Sequence, residues 1–193
     1  MGGQSGGASG AAASQALQHT VSHMLGELTW LLTQSPTHRH FTFADMEWMI
    51  LPPLMLEQYR VFRASPSAVL EQQGGGGAGQ TQASDGSCGG SGASNKNVQP
   101  VGYATWAYLS EEAAAKLNAG AASGRGARLR PDEWKSGESL WLVDLVTPTA
   151  TPDNRVAEAC LADLLQGPLK GKTVKFHRTD PETGTRDVVE LAG

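Results

Sequence analysis

Cysteine is almost missing from this sequence. There are two in 193 residues: Cys88 in a tract of small residues and Cys160 within a helical pattern. That excludes a disulfide framework or a thiolate metal cluster, and two free thiols in a reducing compartment are expected. Also absent is any apolar run approaching the ~20 residues of a membrane-spanning helix. No charged segment followed by an apolar core opens the chain, so no secretory leader is expected. A surplus of one charge is missing too. The net charge is −4 with both signs interspersed, leaving no basic stripe to follow a phosphate backbone. What remains is a cytoplasmic enzyme or adaptor without a metal site, a membrane span or a nucleic-acid partner.

Bulky apolar side chains are lacking in two whole stretches. Residues 1–14 (MGGQSGGASGAAAS) and 71–98 (from EQQGGGG to NKNV) together hold more than half of the 24 glycines. Segments so poor in apolar surface cannot offset the entropy of ordering. The first is expected to be a disordered N-terminal tail and the second a flexible insertion. The folding part, 15–193 without that insertion, comes to about 150 residues, the size of one domain.

Between Ala16 and Leu32 apolar residues recur at Leu17, Val21, Met24, Leu28 and Leu31, steps of four and three that predict a helix. His19 and His23 fall off this stripe and read as solvated. Ser35-Pro36 ends the helix, because the residue before proline is driven out of the helical region. Thr42, with Asp45 three residues on, has the pattern of a capping box. It predicts a second helix with Phe43, Met46 and Ile50 buried, stopped by Pro52-Pro53. Between the helices lies SPTHRHF, a short polar loop held from both sides, and loops so held commonly carry function.

Tyr59–Ala64 (YRVFRA) and Val101–Tyr108 (VGYATWAY) predict two strands of a hairpin into which the 71–98 tract is inserted. Ser110-Glu111-Glu112 opens a short helix over Ala113–Asn118, and Leu140–Val146 (LWLVDLV) reads as a buried strand. Thr151-Pro152-Asp153 then starts a helix through Leu165, proline being favoured at the first helical position. Two last strands, Thr173–His177 and Asp187–Leu191, are joined by turn-forming residues 180–184. The sum is one α/β (α+β) domain, a mixed and mostly antiparallel sheet flanked by helices.

Strict alternation along LWLVDLV places Leu140, Leu142, Asp144 and Val146 on one face. Asp144 is then the one charge on an apolar face of a central strand, where a carboxylate must be paired or hydrogen-bonded to stay ionised. Two readings stay open. It is a structural acid held by an arginine or by backbone N–H groups, or it orients a catalytic imidazole, for which His38 and His40 are the candidates.

The ordered blocks LTWLLTQSPTHRHF, MILPPLMLEQYRVF, PVGYATWAYLSEE, DEWKSGESLWLVDLVTP and FHRTDPETG resemble those of the RTX toxin-activating lysine acyltransferases, the haemolysin-activating proteins. The likeness runs from about residue 28 to the C-terminus, leaving out the insertion. It rests on a Ser-Pro-x-His-Arg motif, a Gly-Tyr-x-x-Trp strand, the turn Trp134-x-Ser136-Gly137 and the Trp141-x-x-Asp144 strand. The resemblance implies a fold similar to the GNAT acetyltransferases and a protein-lysine fatty acyltransferase. Its donor is acyl-acyl carrier protein, a phosphopantetheine thioester, with no tightly bound cofactor. Its acceptor is an internal lysine of an RTX-type protoxin. It assigns the catalytic roles to His38 and Asp144, with Ser35 as a further residue of the same motif, and it implies a homodimer. His40 has no counterpart and is expected on the surface, while His177 is expected to be structural or solvated.

The chemistry that follows has His38 take a proton from the lysine amine while Asp144 fixes its tautomer. The tetrahedral oxyanion needs a donor, a backbone N–H or Ser35. Direct transfer and a covalent intermediate on His38 or Ser35 both stay open. Two other readings are a coenzyme A-dependent N-acetyltransferase and a non-catalytic adaptor of a secreted repeat protein. After the central strand, Thr147–Asn154 lacks the glycines of a coenzyme A loop, in keeping with a carrier-protein donor. Its expected helix N-terminus at Thr151–Asp153 would offer N–H groups to a phosphopantetheine phosphate.

Overall fold

A computed structural model describes residues 7–64, 99–122, 128–151, 153–180 and 183–193, with side chains from residue 21 onward. The expected insertion at 71–98 with Cys88, the side chain of His19 and residues 1–6 lie outside what is described. The chain begins with three helices, α1 (Gly7–Gln34), α2 (Phe43–Met49) and α3 (Leu51–Met55), and enters strand β1 (Tyr59–Ala64). β2 (Gln99–Leu109) follows, then α4 (Glu111–Ala122), a 3₁₀ turn at Pro131–Trp134 and β3 (Ser139–Val146). Helix α5 (Val156–Gln166) leads to the closing pair β4 (Thr173–Thr179) and β5 (Arg186–Ala192).

The strands form one sheet in sequential order, β1 to β5. All neighbours are antiparallel except β3 and β4. Parallel neighbours need a crossover, and α5 supplies it. The architecture is thus the expected α+β domain, with the β1–β2 hairpin as predicted and β3 in the middle.

Three packed clusters fix the layers. Leu28, Leu31, Ile50 and Leu54 of the first helices meet Tyr103 and Val146 on one face of the sheet. Farther along that face, Leu117 of α4 and Trp134 close over Ala107, Leu109 and Trp141. On the opposite face Val156, Cys160 and Leu164 of α5 cover Ala104, Trp106, Leu140 and Leu142. Each such leucine taken fully out of water contributes about 1.5–3 kcal/mol, so Leu28, Leu31 and Leu32 hold α1 to the sheet.

Helical backbone begins at Gly7, and alanine is the strongest helix former. Several local expectations are corrected. Phe43 is 88% exposed rather than buried. α2 is only two turns long, and its C-terminal end, through Met49 and the capping Ile50, is what reaches α1. Met46 is partly buried there, its sulfur 3.8 Å from the Thr29 hydroxyl. Pro52 and Pro53 do not end that helix. The break comes at Ile50, and the prolines fill the first turn of α3, where no amide donor is needed.

The helix expected from Pro152 starts instead at Val156, after Arg155 in the left-handed region at φ 52°. The carbonyl of the Asn154 side chain accepts from the N–H groups of Thr151 (2.9 Å) and Val156 (3.2 Å). These donors are engaged within the loop, so the anion site expected at Thr151–Asp153 is not formed.

The Trp-x-Ser-Gly motif has a mechanical role. The Ser136 hydroxyl accepts from the Ser110 N–H at 2.9 Å and donates to the Glu133 carbonyl at 2.8 Å. The Gly137 N–H donates to the Tyr108 carbonyl at 3.0 Å. The turn therefore clamps the start of β3 to the end of β2.

Candidate active site

The loop between α1 and α2 is built of consecutive tight turns. The Ser35 N–H donates to the Leu32 carbonyl, and the Ser35 carbonyl accepts from the N–H groups of His38 (3.1 Å) and Arg39 (2.9 Å). The Phe41 N–H donates back to the His38 carbonyl at 2.9 Å. The far end is fixed by Asp45, whose carboxylate accepts from the Thr42 N–H (2.8 Å) and hydroxyl (2.9 Å) and pairs with Arg128 (3.1 Å). The backbone hydrogen bond from Thr42, then its hydroxyl, hold the Asp45 carboxyl below its usual range. A loop anchored this way holds a side chain in place without help from a substrate.

The side chain it holds is His38. Its Nε2 lies 3.2 Å from Oδ2 of Asp144, with the two side chains 17% and 21% exposed. On the other side of the ring, Nδ1 lies 2.8 Å from the Ser35 hydroxyl and 2.9 Å from that of Thr37. A carboxylate can only accept here, so Nε2 carries the proton and Nδ1 presents its lone pair to the hydroxyls. The ring thus has one nitrogen fixed by an acid and the other available as a base.

Asp144 reaches this place by a break in the strand's alternation. Thr105 pairs with Asp144 but Trp106 with Leu142, so Val143 is an extra residue and the ladder carries a bulge. A bulge reverses which face the following residues occupy. Leu140 and Leu142 accordingly face α5, while Val146 lies with α1 and Tyr103. The expectation that Asp144 shares a face with Leu140 and Leu142 is corrected. It faces the other way, towards the helices and the His38 loop.

His38, Ser35 and Asp144 are therefore brought together, and of the two open readings for Asp144 the imidazole is the partner found. His40 is exposed. His177 packs over Trp141, ring centroids 5.4 Å apart, with Nε2 2.8 Å from the Asn118 amide oxygen, a structural role. Ser35 is buried and its hydroxyl is turned to the imidazole, so it does not stand free as an oxyanion donor. Thr37 escaped the sequence reading, although it lies inside the Ser-Pro-x-His motif. Tyr103 and Thr105, adjacent to Asp144, escaped it as well; both hydroxyls are buried, and neither completes a well-formed hydrogen bond among the described residues. Their signal was two hydroxyl-bearing residues two positions apart on one face of a largely apolar strand.

Beside the imidazole an aromatic row leads outward. Phe41 stands edge-on to His38 at 5.3 Å, Trp48 follows at 6.2 Å from Phe41, and the Arg128 guanidinium lies over Trp48 at 5.4 Å. Trp48 also lines an open cleft with Leu129, Arg130 and Pro131. The dyad thus borders an apolar, accessible surface.

Known proteins are similar to this sequence. The family model described as the RTX toxin acyltransferase family matches residues 17–69 and 93–192. A leukotoxin-activating lysine-acyltransferase of a Pasteurella haemolytica-like species is 26% identical over 65% of this chain and 53% of its own length. The protein-lysine palmitoyltransferase CyaC of Bordetella bronchiseptica is 24% identical over 72% of this chain and 55% of its own. The protein-lysine myristoyltransferase HlyC of Escherichia coli is 23% identical over 88% and 75%. The chain spans about half the length of the first two of these relatives. The match to the family model takes in every residue of the dyad and its loop, and the chain belongs to the RTX toxin acyltransferase family.

Proposed function

We propose that this protein is a protein-lysine acyltransferase that moves a fatty acyl group from acyl carrier protein to an internal lysine of an RTX-type protoxin. The observation that carries this reading is the approach of His38 Nε2 to Asp144 Oδ2 at 3.2 Å, with Nδ1 left to two hydroxyls. A lysine amine has a pKa of about 10.4, so at pH 7 only about four in ten thousand are neutral. A base in contact with the attacking amine removes that handicap.

In the reaction the amine nitrogen attacks the thioester carbonyl. Its proton passes to His38 Nδ1, with Thr37, the exposed one of the two hydroxyls, giving way to it. Asp144 stabilises the imidazolium so formed. Collapse of the tetrahedral intermediate completes the amide, breaks the C–S bond, and returns the proton from His38 to the leaving thiolate. Ser35, buried behind the ring, holds the imidazole rather than carrying the acyl group, which supports direct transfer. The apolar row of Phe41 and Trp48 beside the imidazole suits an acyl chain better than a polar donor.

The test uses the purified full chain, an acyl-acyl carrier protein, acetyl-coenzyme A in a parallel arm, and an RTX protoxin as acceptor, read by mass spectrometry of its lysines. Acyl transfer from the carrier protein alone is expected. Transfer from acetyl-coenzyme A alone would replace this reading with the coenzyme A-dependent one. An acyl-enzyme formed with donor and no acceptor would replace direct transfer with a covalent route. Transfer in neither arm would leave an adaptor role.

A further inference from the structure

β2 brings to Asp144 a group that the function proposed above does not use. In the β2–β3 ladder Thr105 faces Asp144, and Tyr103 faces Val146, two residues along the same face. Tyr103 is 0% exposed. Leu28, Leu31 and Leu54 from α1 and α3, with Tyr59 and Val61 from β1, belong to the cluster that encloses it. Its hydroxyl ends in this core close to the Asp144 carboxyl, without completing a well-formed hydrogen bond among the described residues. A phenylalanine would fill the same space without that penalty, so the oxygen calls for a state in which it is satisfied.

The nearest charge identifies that state. Burial first, then the charge of Asp144 and the phenol's own hydrogen-bonding approach to that carboxyl, push the Tyr103 phenol well above its usual range. The O–H thus stays intact and able to donate wherever His38 can act. The ring of His38 approaches Oδ2 of Asp144, and a carboxylate has a second oxygen with lone pairs to spare.

We propose that Tyr103 is a positioning residue of the His38–Asp144 couple, its O–H turning to donate to the Asp144 oxygen that His38 leaves free when the couple takes up a proton. Buried as it is, Tyr103 touches neither substrate. It acts by holding the carboxylate plane towards the imidazole and by moderating how strongly that carboxylate attracts a proton. The consequence for turnover rests on the acyltransferase reading; the effect on the imidazole does not.

The experiment follows the His38 ring protons by NMR through a pH titration of the full chain and of Tyr103→Phe, with the signal assigned by its loss in His38→Gln. Circular dichroism checks that each variant is folded. Without its donor the carboxylate is more basic and holds the proton on the ring harder, so the His38 midpoint in Tyr103→Phe is expected to rise by about half a pH unit or more. The acid limb of the transfer profile should move the same way. A midpoint that stays in place or falls overturns the assignment and leaves Tyr103 as core packing. If the wild-type chain transfers no acyl group, the acyltransferase reading fails, while the midpoint still decides the role of Tyr103.

Discussion

The imidazole of His38 and the carboxylate of Asp144 meet at 3.2 Å although one belongs to a loop between helices and the other to the middle strand of the sheet. Removing the charge while keeping the shape tests what the contact does. Asp144→Asn is expected to lose about 10³- to 10⁴-fold in acyl transfer, because an amide no longer fixes the Nε2–H tautomer or stabilises the imidazolium. His38→Ala should fall by a similar factor, and the double variant little further, since the two act as a unit. Single-turnover transfer followed by intact mass, with circular dichroism unchanged, is the measurement.

Ser35 and Thr37 share one acceptor, Nδ1, and lie 3.0 Å from each other. Either hydroxyl can then serve in the absence of the other. Ser35→Ala and Thr37→Val are each expected to cost no more than about tenfold in transfer rate, whereas the double variant should cost well over the product of the two. Strict additivity in this cycle would mean that the hydroxyls act independently of the ring.

His177 has a definite pH signature. Burial first, and then the charge of Arg186, lower its pKa below the ordinary 6.5. The unfolded chain therefore takes up a proton near 6.5 that the native state accepts only at lower pH, and stability declines as pH falls through that window. Above it both states are neutral and the effect vanishes. His177→Gln, which can keep a hydrogen bond to Asn118, should show a smaller fall in melting temperature between pH 7.5 and 5.5 than the wild type. An equal fall would assign the acid sensitivity elsewhere.

The pairing of β2 with β3 is closely approached at two positions that admit no side chain, one in the clamp and one at the opposite end of the pair. A Cβ on Gly137 would fall on the Leu109 carbonyl group and lie 2.6 Å from the Ser110 nitrogen, and one on Gly102 would lie 2.8 Å from the Val146 oxygen. These obstacles are backbone and cannot rotate away. Gly137→Ala and Gly102→Ala are each expected to destabilise the fold by about 1–3 kcal/mol, read from urea denaturation midpoints.

Cys160 is the free thiol within the described residues, pushed up to about 12 by burial and, next, by the charge of Asp163. An un-ionised thiol is a poor nucleophile. Cys160 should resist iodoacetamide at pH 8 in the folded protein and react once urea unfolds it; rapid labelling of Cys160 in the native state would mean that α5 opens locally.

Much of this was legible in the sequence because it is local. The stripe from Met24 to Leu31, the pairing of Thr42 with Asp45 and the turn chemistry before β5 depend on neighbours within a few residues, and each appears in the fold. Where the expectations failed, the same local pattern admitted more than one outcome and packing or loop hydrogen bonds chose between them. Phe43 carries the right spacing for burial but sits at the end of α2 that meets nothing. Pro52 and Pro53 read as a stop, yet α3 reuses them as a start. Asn154, rather than Pro152, sets where α5 begins by taking up the loop's amide groups.

By itself the sequence determined the elements, the polar loop that carries His38 and the strand that carries a lone acid, since composition and periodicity act residue by residue. Only the tertiary structure decided which face that acid occupies. The pairing of β3 with β2 inserts Val143 as a bulge, and that reversal is what turns Asp144 from the α5 side to the side of His38 and Tyr103. A strand's register is set by the neighbour it bonds to, and no stretch of either strand alone contains it.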